Sequence, residues 1–242
     1  MLKNSTLGRF IAVLALMASA TGLAFATAAH GPEVSSEEAL QKLMDGNKRY
    51  VENQMTGTKL CDLTTRSGLA KSQKPYAIIL TCSDSRVPPE IVFDKGLGEI
   101  FVVRVAGNIP DPVVLGSIEY AAEHLGSPLV MVLGHERCGA VAATVGAKGK
   151  STGSANIDAI VKAIAPNVKN AAKDCDACKG EAKCAETKKD VFVECVVDAN
   201  AKTVAAGLTK KSKILKHLVD AKKMKIVAAK YDLDDGLVTL FK

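Results

Sequence analysis

YAIILTCSDSRVPPE, residues 76–90, decides how the fold is read. An apolar run from Tyr76 to Leu80 reaches Thr81 and stops. Behind it stand the Cys82 thiol, the Asp84 carboxylate, the Ser83 and Ser85 hydroxyls and the Arg86 guanidinium, then Pro88 and Pro89. A short run that is apolar at every position reads as a strand buried on both faces, and such strands belong to parallel sheets. Paired prolines suit the first turn of a helix. The order is therefore strand over 76–81, reactive loop, short helix.

The pattern repeats downstream. Ile100 to Val105 is a second strand, and Pro112 opens a helix to about Leu125. Pro128 to Leu133 is a third strand, followed by a helix from about Cys138 to Val145. Helical segments fill 155–173 and 190–222. A fourth strand covers 225–230, Asp234-Asp235-Gly236 turns the chain, and Leu237 to Phe241 closes it. Upstream, Ser35 and Glu38 form a capping box before an amphipathic helix over 36–53, and a short helix lies near 63–71. Strands separated by helices predict an α/β fold, with a central, mostly parallel sheet flanked by helices. The 36–53 helix lies outside that alternation and reads as an N-terminal arm for a partner.

A chain of 242 residues fits one such domain. The net charge of +6 is dispersed, and no Lys/Arg stripe interleaves with aromatics. That argues against a nucleic-acid partner. Lys3 and Arg9 precede the uncharged stretch Phe10 to Ala26, which ends in Ala24-Phe25-Ala26. This predicts a signal peptide over 1–26, with a cut after Ala29 as the alternative. Nothing later could span a bilayer. The expectation is an exported, periplasmic protein with one domain over 30–242.

In open α/β sheets, ligands bind beyond the carboxyl ends of the strands. Cys82 to Arg86 follows one such end, and Gly134-His135-Glu136-Arg137-Cys138 follows another. A histidine and a cysteine three apart can turn toward one point, with Cys82 as the third group. Two thiolates and one imidazole leave a tetrahedral ion one open position, the mark of catalytic rather than structural zinc. Gly134 and Gly139 read as places where backbone approaches closely. Either motif alone is weak, since a cysteine ending an apolar strand is usually a small core residue. A cysteine nucleophile with His135 as base is the competing reading.

CSDSRVPPEIVFDKGLGEIFVVRVAGNI and GSIEYAAEHLGSPLVMVLGHERCGAV together resemble the β-class carbonic anhydrases, whose pattern is Cys-x-Asp-x-Arg and then His-x-x-Cys about fifty residues on. The resemblance runs from Ser35 to Val145, fades through 165–205 and returns in KIVAAKYDLDDGLVTLF. It implies one Zn2+ per subunit on Cys82, His135 and Cys138, and the paired catalytic Asp84 and Arg86. The reaction implied is reversible hydration of carbon dioxide to bicarbonate and a proton, with zinc-bound hydroxide as nucleophile. Gln73, Phe101 and Tyr120 match substrate-pocket positions, Ala106 stands where some members carry valine, and Gly107 is a neighbouring departure. The family also implies a homodimer or higher homo-oligomer, and in some members an aspartate that swings onto the ion. Hydrolysis of carbon disulfide or carbonyl sulfide on the same scaffold is one alternative. A non-catalytic zinc- or bicarbonate-binding protein is another.

The family pattern helps least across 174–195, DCDACKGEAKCAETKKDVFVEC. Given export, Cys175, Cys178, Cys184 and Cys195 read as two structural disulfides, with three pairings open. A structural zinc site and a redox-active Cys-x-x-Cys are the rivals, and Lys179 stands where haem attachment needs histidine. Cys61, the odd thiol, is expected to be buried and inert. His124 is expected to pack or cap a helix end, and His217 to face solvent; neither they nor His30 has a partner at ligand spacing.

Overall fold

The computed structural model describes residues 34–56, 61–178 and 184–242. The proposed leader, His30 and Lys179 lie outside the described residues. Five strands form one sheet in the order β2-β1-β3-β4-β5. They are β1 (Ala77–Thr81), β2 (Ile100–Arg104), β3 (Leu129–His135), β4 (Lys225–Tyr231) and β5 (Val238–Leu240). The first four run parallel, and β5 returns antiparallel to β4. The α/β expectation holds, with the mostly parallel sheet covered on both faces.

Side-chain alternation along the strands sorts the core into two layers. Ile78, Leu80, Val130 and Val132 face one way, toward α4 (Pro112–Glu123), α8 (Lys189–Lys211) and α9 (Lys213–Asp220). Ala77, Ile79, Leu129, Met131 and Leu133 face the other, under α1 (Ser36–Val51) and α3 (Pro89–Val92). A third apolar cluster lies past the carboxyl ends of the strands. It joins Cys82 and Cys138 to α5 (Gly139–Ala147), α6 (Ala155–Asp174) and α8. Among the described residues, no helix is long and apolar enough to cross a membrane.

Caps place the helices. Ser35 Oγ accepts from Glu38 N–H at 3.1 Å and Glu38 Oε2 from Ser35 N–H at 2.8 Å, so the capping box forms. Asp111 caps α4 ahead of Pro112. The run 190–222 divides at Ser212, whose extended backbone ends α8 and whose hydroxyl caps α9. The arm-like α1 packs over its own sheet. Its buried Asn47 donates to Val92 O (3.1 Å) and Gly236 O (2.8 Å) and accepts from Val238 N–H (2.8 Å). Arg49 pairs with buried Asp94 at 2.6 Å, and Thr56 donates to the same carboxylate. Burial pushes Asp94 up, but Arg49 and Thr56 outweigh it and hold it below the usual carboxylate range.

Two disulfides close the cysteine-rich segment, Cys175–Cys195 and Cys178–Cys184, the second ending on the short α7 (Cys184–Thr187). Cys175 and Cys178 therefore do not pair with each other, and the four sulfurs are spent on covalent links rather than a second metal. Cys61 corrects the sequence reading: it is exposed, just before the surface helix α2 (Leu63–Leu69), which buries none of its residues. His124 ends α4 and packs against the Tyr120 ring, tilted at 45° with centroids 5.3 Å apart, and His217 is exposed.

Candidate metal centre and its comparisons

Adjacent strands bring the three proposed ligands to one edge. Thr81 pairs with Leu133, and its hydroxyl donates to the Leu133 carbonyl at 2.9 Å, so Cys82 leaves β1 level with Gly134. β3 ends on His135, and Cys138 stands at the N-cap position of α5 without capping it by its side chain. The donor atoms of Cys82, His135 and Cys138 lie within 4.8 Å of one another. All three residues are buried, at 5%, 0% and 2% exposure. A Cβ on Gly134 would sit 3.3 Å from the Ala201 Cβ, so glycine there lets α8 lie close to β3. Gly139 needs no such account, because a Cβ there meets nothing within 4 Å.

His135 Nδ1 lies 2.8 Å from the Glu136 carbonyl. A carbonyl only accepts, so Nδ1 carries the proton and Nε2 keeps its lone pair. That Nε2 is buried and has no hydrogen-bond partner. A buried lone pair facing two sulfurs is costly unless something binds it, and this donor set suits a tetrahedral zinc ion. The sulfurs form a coupled pair. Cys82 is drawn down, first by the Cys138 thiol and then by the amides of Gly107 and Asp84. Cys138 is pushed up by its contact with Cys82 and by burial. Without an ion the two sulfurs share one proton; with an ion they offer two thiolates.

Asp84 and Arg86 meet as a fork. Arg86 Nε donates to Asp84 Oδ1 at 2.9 Å, Nη2 to Oδ2 at 2.8 Å, and the Arg86 amide to Oδ1 at 3.0 Å. Arg86, through its guanidinium and its amide, holds the Asp84 carboxyl far below the usual range. Asp84 Oδ2 lies 3.9 Å from His135 Nε2, at the rim of the Cys82–His135–Cys138 group. The aspartate therefore rests on arginine in this structure and can only accept hydrogen bonds.

Gln73, Phe101 and Tyr120 are not brought to this edge. Phe101 pairs with Ile78, four residues before Cys82 and about 13 Å back along the sheet. Tyr120 is half exposed beside it, ring centroids 6.5 Å apart, and Gln73 is exposed before β1 begins. Ala106 alone of the pocket positions adjoins the centre, next to Gly107, whose N–H donates to Cys82 Sγ at 3.3 Å.

The supporting roles of Gly107, Arg104 and Glu194 escape sequence reasoning. Gly107 takes φ +71, and a Cβ there would lie 2.6 Å from Ile164 Cδ1. Arg104 donates to the Cys82 carbonyl at 3.0 Å and the Asp84 carbonyl at 2.6 Å, bracing the reactive loop from the next strand. Glu194 accepts from the Arg137 amide at 2.7 Å and pins the turn between His135 and Cys138. A glycine following a strand was the one visible signal. Arg104 and Glu194 read as surface charges in the sequence, and only the folded loops bring the Cys82 and Asp84 carbonyls and the Arg137 amide within their reach. Glu136, Asp232 and Asp234 also cluster, but Arg137 forks onto Asp234 with two 2.9 Å hydrogen bonds.

A family model described as carbonic anhydrase matches residues 77–238. The chain is 37% identical over 210 residues to carbonic anhydrase 2 of Mycobacterium tuberculosis, covering 86% of this chain and 94% of that one. It is 43% identical over 138 residues to a carbonic anhydrase of Mycolicibacterium smegmatis, covering 57% of this chain and 66% of the relative. In fold it is similar to a β-carbonic anhydrase of Coccomyxa at TM-score 0.62 and 25% identity, across 84% of this chain and 86% of that one. A tetrameric β-carbonic anhydrase of Sordaria macrospora gives TM-score 0.62 at 20% identity, across 84% and 97%. With the sheet, the convergent Cys82–His135–Cys138 group and these relatives in agreement, the chain belongs to the β-class carbonic anhydrase family and is a lyase.

Proposed function

We propose that the protein hydrates carbon dioxide reversibly with one zinc ion held by Cys82, His135 and Cys138. The observation that carries this reading is the buried, partnerless Nε2 of His135 facing two sulfurs beside the Asp84–Arg86 fork. The ion, when bound, supplies Lewis acidity that brings the pKa of water to near 7. The chain's own residues do the rest. Burial of all three ligands excludes competing water and fixes their geometry. Arg86 keeps Asp84 ionised and aimed. Asp84, acceptor-only, takes the hydrogen bond of the reacting O–H and leaves the oxygen lone pair turned toward carbon. Elemental analysis of purified full-length protein tests the ligand set: about one zinc per chain is expected, falling sharply in Cys82→Ser. Unchanged zinc in that variant would remove Cys82 from it.

Gln73, Phe101 and Tyr120 lie at the far end of the sheet from their own Cys82. Their contact with substrate is therefore proposed to run across a subunit interface, in a homodimer or larger assembly in which α1 serves as an arm. Support comes from β2, an edge strand, and from the exposed Val113 and Tyr120 on neighbouring α4. The mature protein is proposed to be periplasmic, one domain over 30–242 after loss of 1–26. Two disulfides suit an oxidising compartment. Mass spectrometry of the protein from cell fractions is expected to find a periplasmic chain beginning at Thr27. A cytoplasmic chain with its first residues intact would contradict this.

A further inference from the structure

Gly107 makes two hydrogen bonds that point to opposite ends of one path. Its N–H donates to Cys82 Sγ, and its carbonyl accepts from Asn200 Nδ2 at 2.9 Å. Asn200 Oδ1 in turn accepts from Asn167 Nδ2 at 2.8 Å. The path runs from α6 through α8 and the 106–108 turn to the sulfur of a ligand.

Both asparagines are buried, at 3% and 1% exposure. Burying an amide is unfavourable unless its atoms are paired, and Val196, Val197, Ala201 and Val204 show that this face of α8 is otherwise apolar. Apolar residues could close the two helices without them. The turn accounts for their presence. Gly107 and Asn108 are successive left-handed residues, at φ +71 and +45. Such backbone persists only where its surroundings hold it. Val105 N–H to Thr81 O and Asn108 N–H to Val105 O tie the turn's flanks, and Asn200 grips its crest. The Cys175–Cys195 disulfide links the same two helices, five residues before Asn200 on α8.

We propose that Asn200, oriented by Asn167, is a positioning residue for the metal centre: it fixes the Gly107 peptide so that its N–H stays on Cys82 Sγ. This rests on the reading of Cys82, His135 and Cys138 as ligands. An N–H on a thiolate draws electron density from sulfur, so Cys82 passes less charge to the ion, and partners of this kind tune both affinity and acidity. In a set with two thiolates that withdrawal offsets part of the charge the sulfurs supply.

Cobalt substitution of the full-length, disulfide-intact protein tests the proposal through the thiolate-to-cobalt charge-transfer band. The wild type is expected to show the band. Asn200→Ala is expected to move it to lower energy, because sulfur becomes the better donor, and to weaken cobalt binding about 10-fold in chelator competition, because the site loses its preset geometry. Asn167→Ala is expected to move it the same way by less, and it carries the test alone if Asn200→Ala does not fold. Val204→Ala, on the same helix but off the path, should lower stability and leave the band in place. Asparagine variants with the wild-type band and affinity would overturn the proposal while leaving the ligand set intact. An equal shift in Val204→Ala would also overturn it, by making the effect general loosening of α8. A wild type without a thiolate band would overturn the ligand reading itself.

Discussion

Asp84 is the residue on which the chemistry turns. Its oxygens are committed to Arg86 on one side and reach to 3.9 Å from His135 Nε2 on the other. Asp84→Asn keeps the shape but loses the charge and presents an amide donor where only an acceptor works. Zinc content is expected to stay at the wild-type level while hydration slows by about 100-fold or more. Normal turnover in that variant would remove the assigned role. The local sequence made this pair legible, because Cys-x-Asp-x-Arg sets all three groups on one short loop after a strand. Arg104 was not legible: it reads as the polar end of an edge strand until parallel pairing places it beside Cys82 and Asp84. The exposed Cys61 was misread because thiol burial was inferred from residue type, whereas its loop precedes a helix with no buried face.

The elements around the site are held by a few ties that can be cut singly. The Cys175–Cys195 link closes a separation of 20 residues, so removing both cysteines by alanine substitution is expected to lower unfolding free energy by about 3 kcal/mol. Denaturant titration of the double variant checks this, and unchanged stability would show that α6 and α8 stay docked without it. Gly107→Ala forces a left-handed alanine against Ile164. It is expected to cost roughly 1–3 kcal/mol and to lower zinc retention with it. The Arg49–Asp94 pair anchors α1 beside α3. Because the folded carboxyl is held down, its contribution is full above the ordinary carboxylate value of about 4 and is lost as pH falls through the lower folded value. Thermal melts should therefore steepen their decline below about pH 4, and Asp94→Asn should flatten that decline. Helix starts were legible from caps and prolines, as at Ser35 and Pro112, because those signals are local. The disulfide pairing was not, since four cysteines in one segment admit three pairings and only the packing of α6 against α8 selects one.

At the scale of the whole molecule, the sheet order follows from apolar runs spaced by helices, and that much the chain states openly. The division of the pocket does not. Cys82 and Phe101 are both named by their motifs, yet the strands carry them to opposite ends of the sheet. Periodicity cannot reveal which end a residue reaches or whether a second copy completes the site. Light scattering of the mature protein is expected to give a dimer or larger, and a monomer with full activity would contradict the shared pocket. The central claim concerns the ion and its reaction together. Stopped-flow carbon dioxide hydration, run on zinc-analysed protein before and after chelation, tests it most directly. Rapid hydration by the zinc-loaded protein is expected, lost on chelation and restored by zinc. Zinc-replete, folded protein without hydration activity would contradict it.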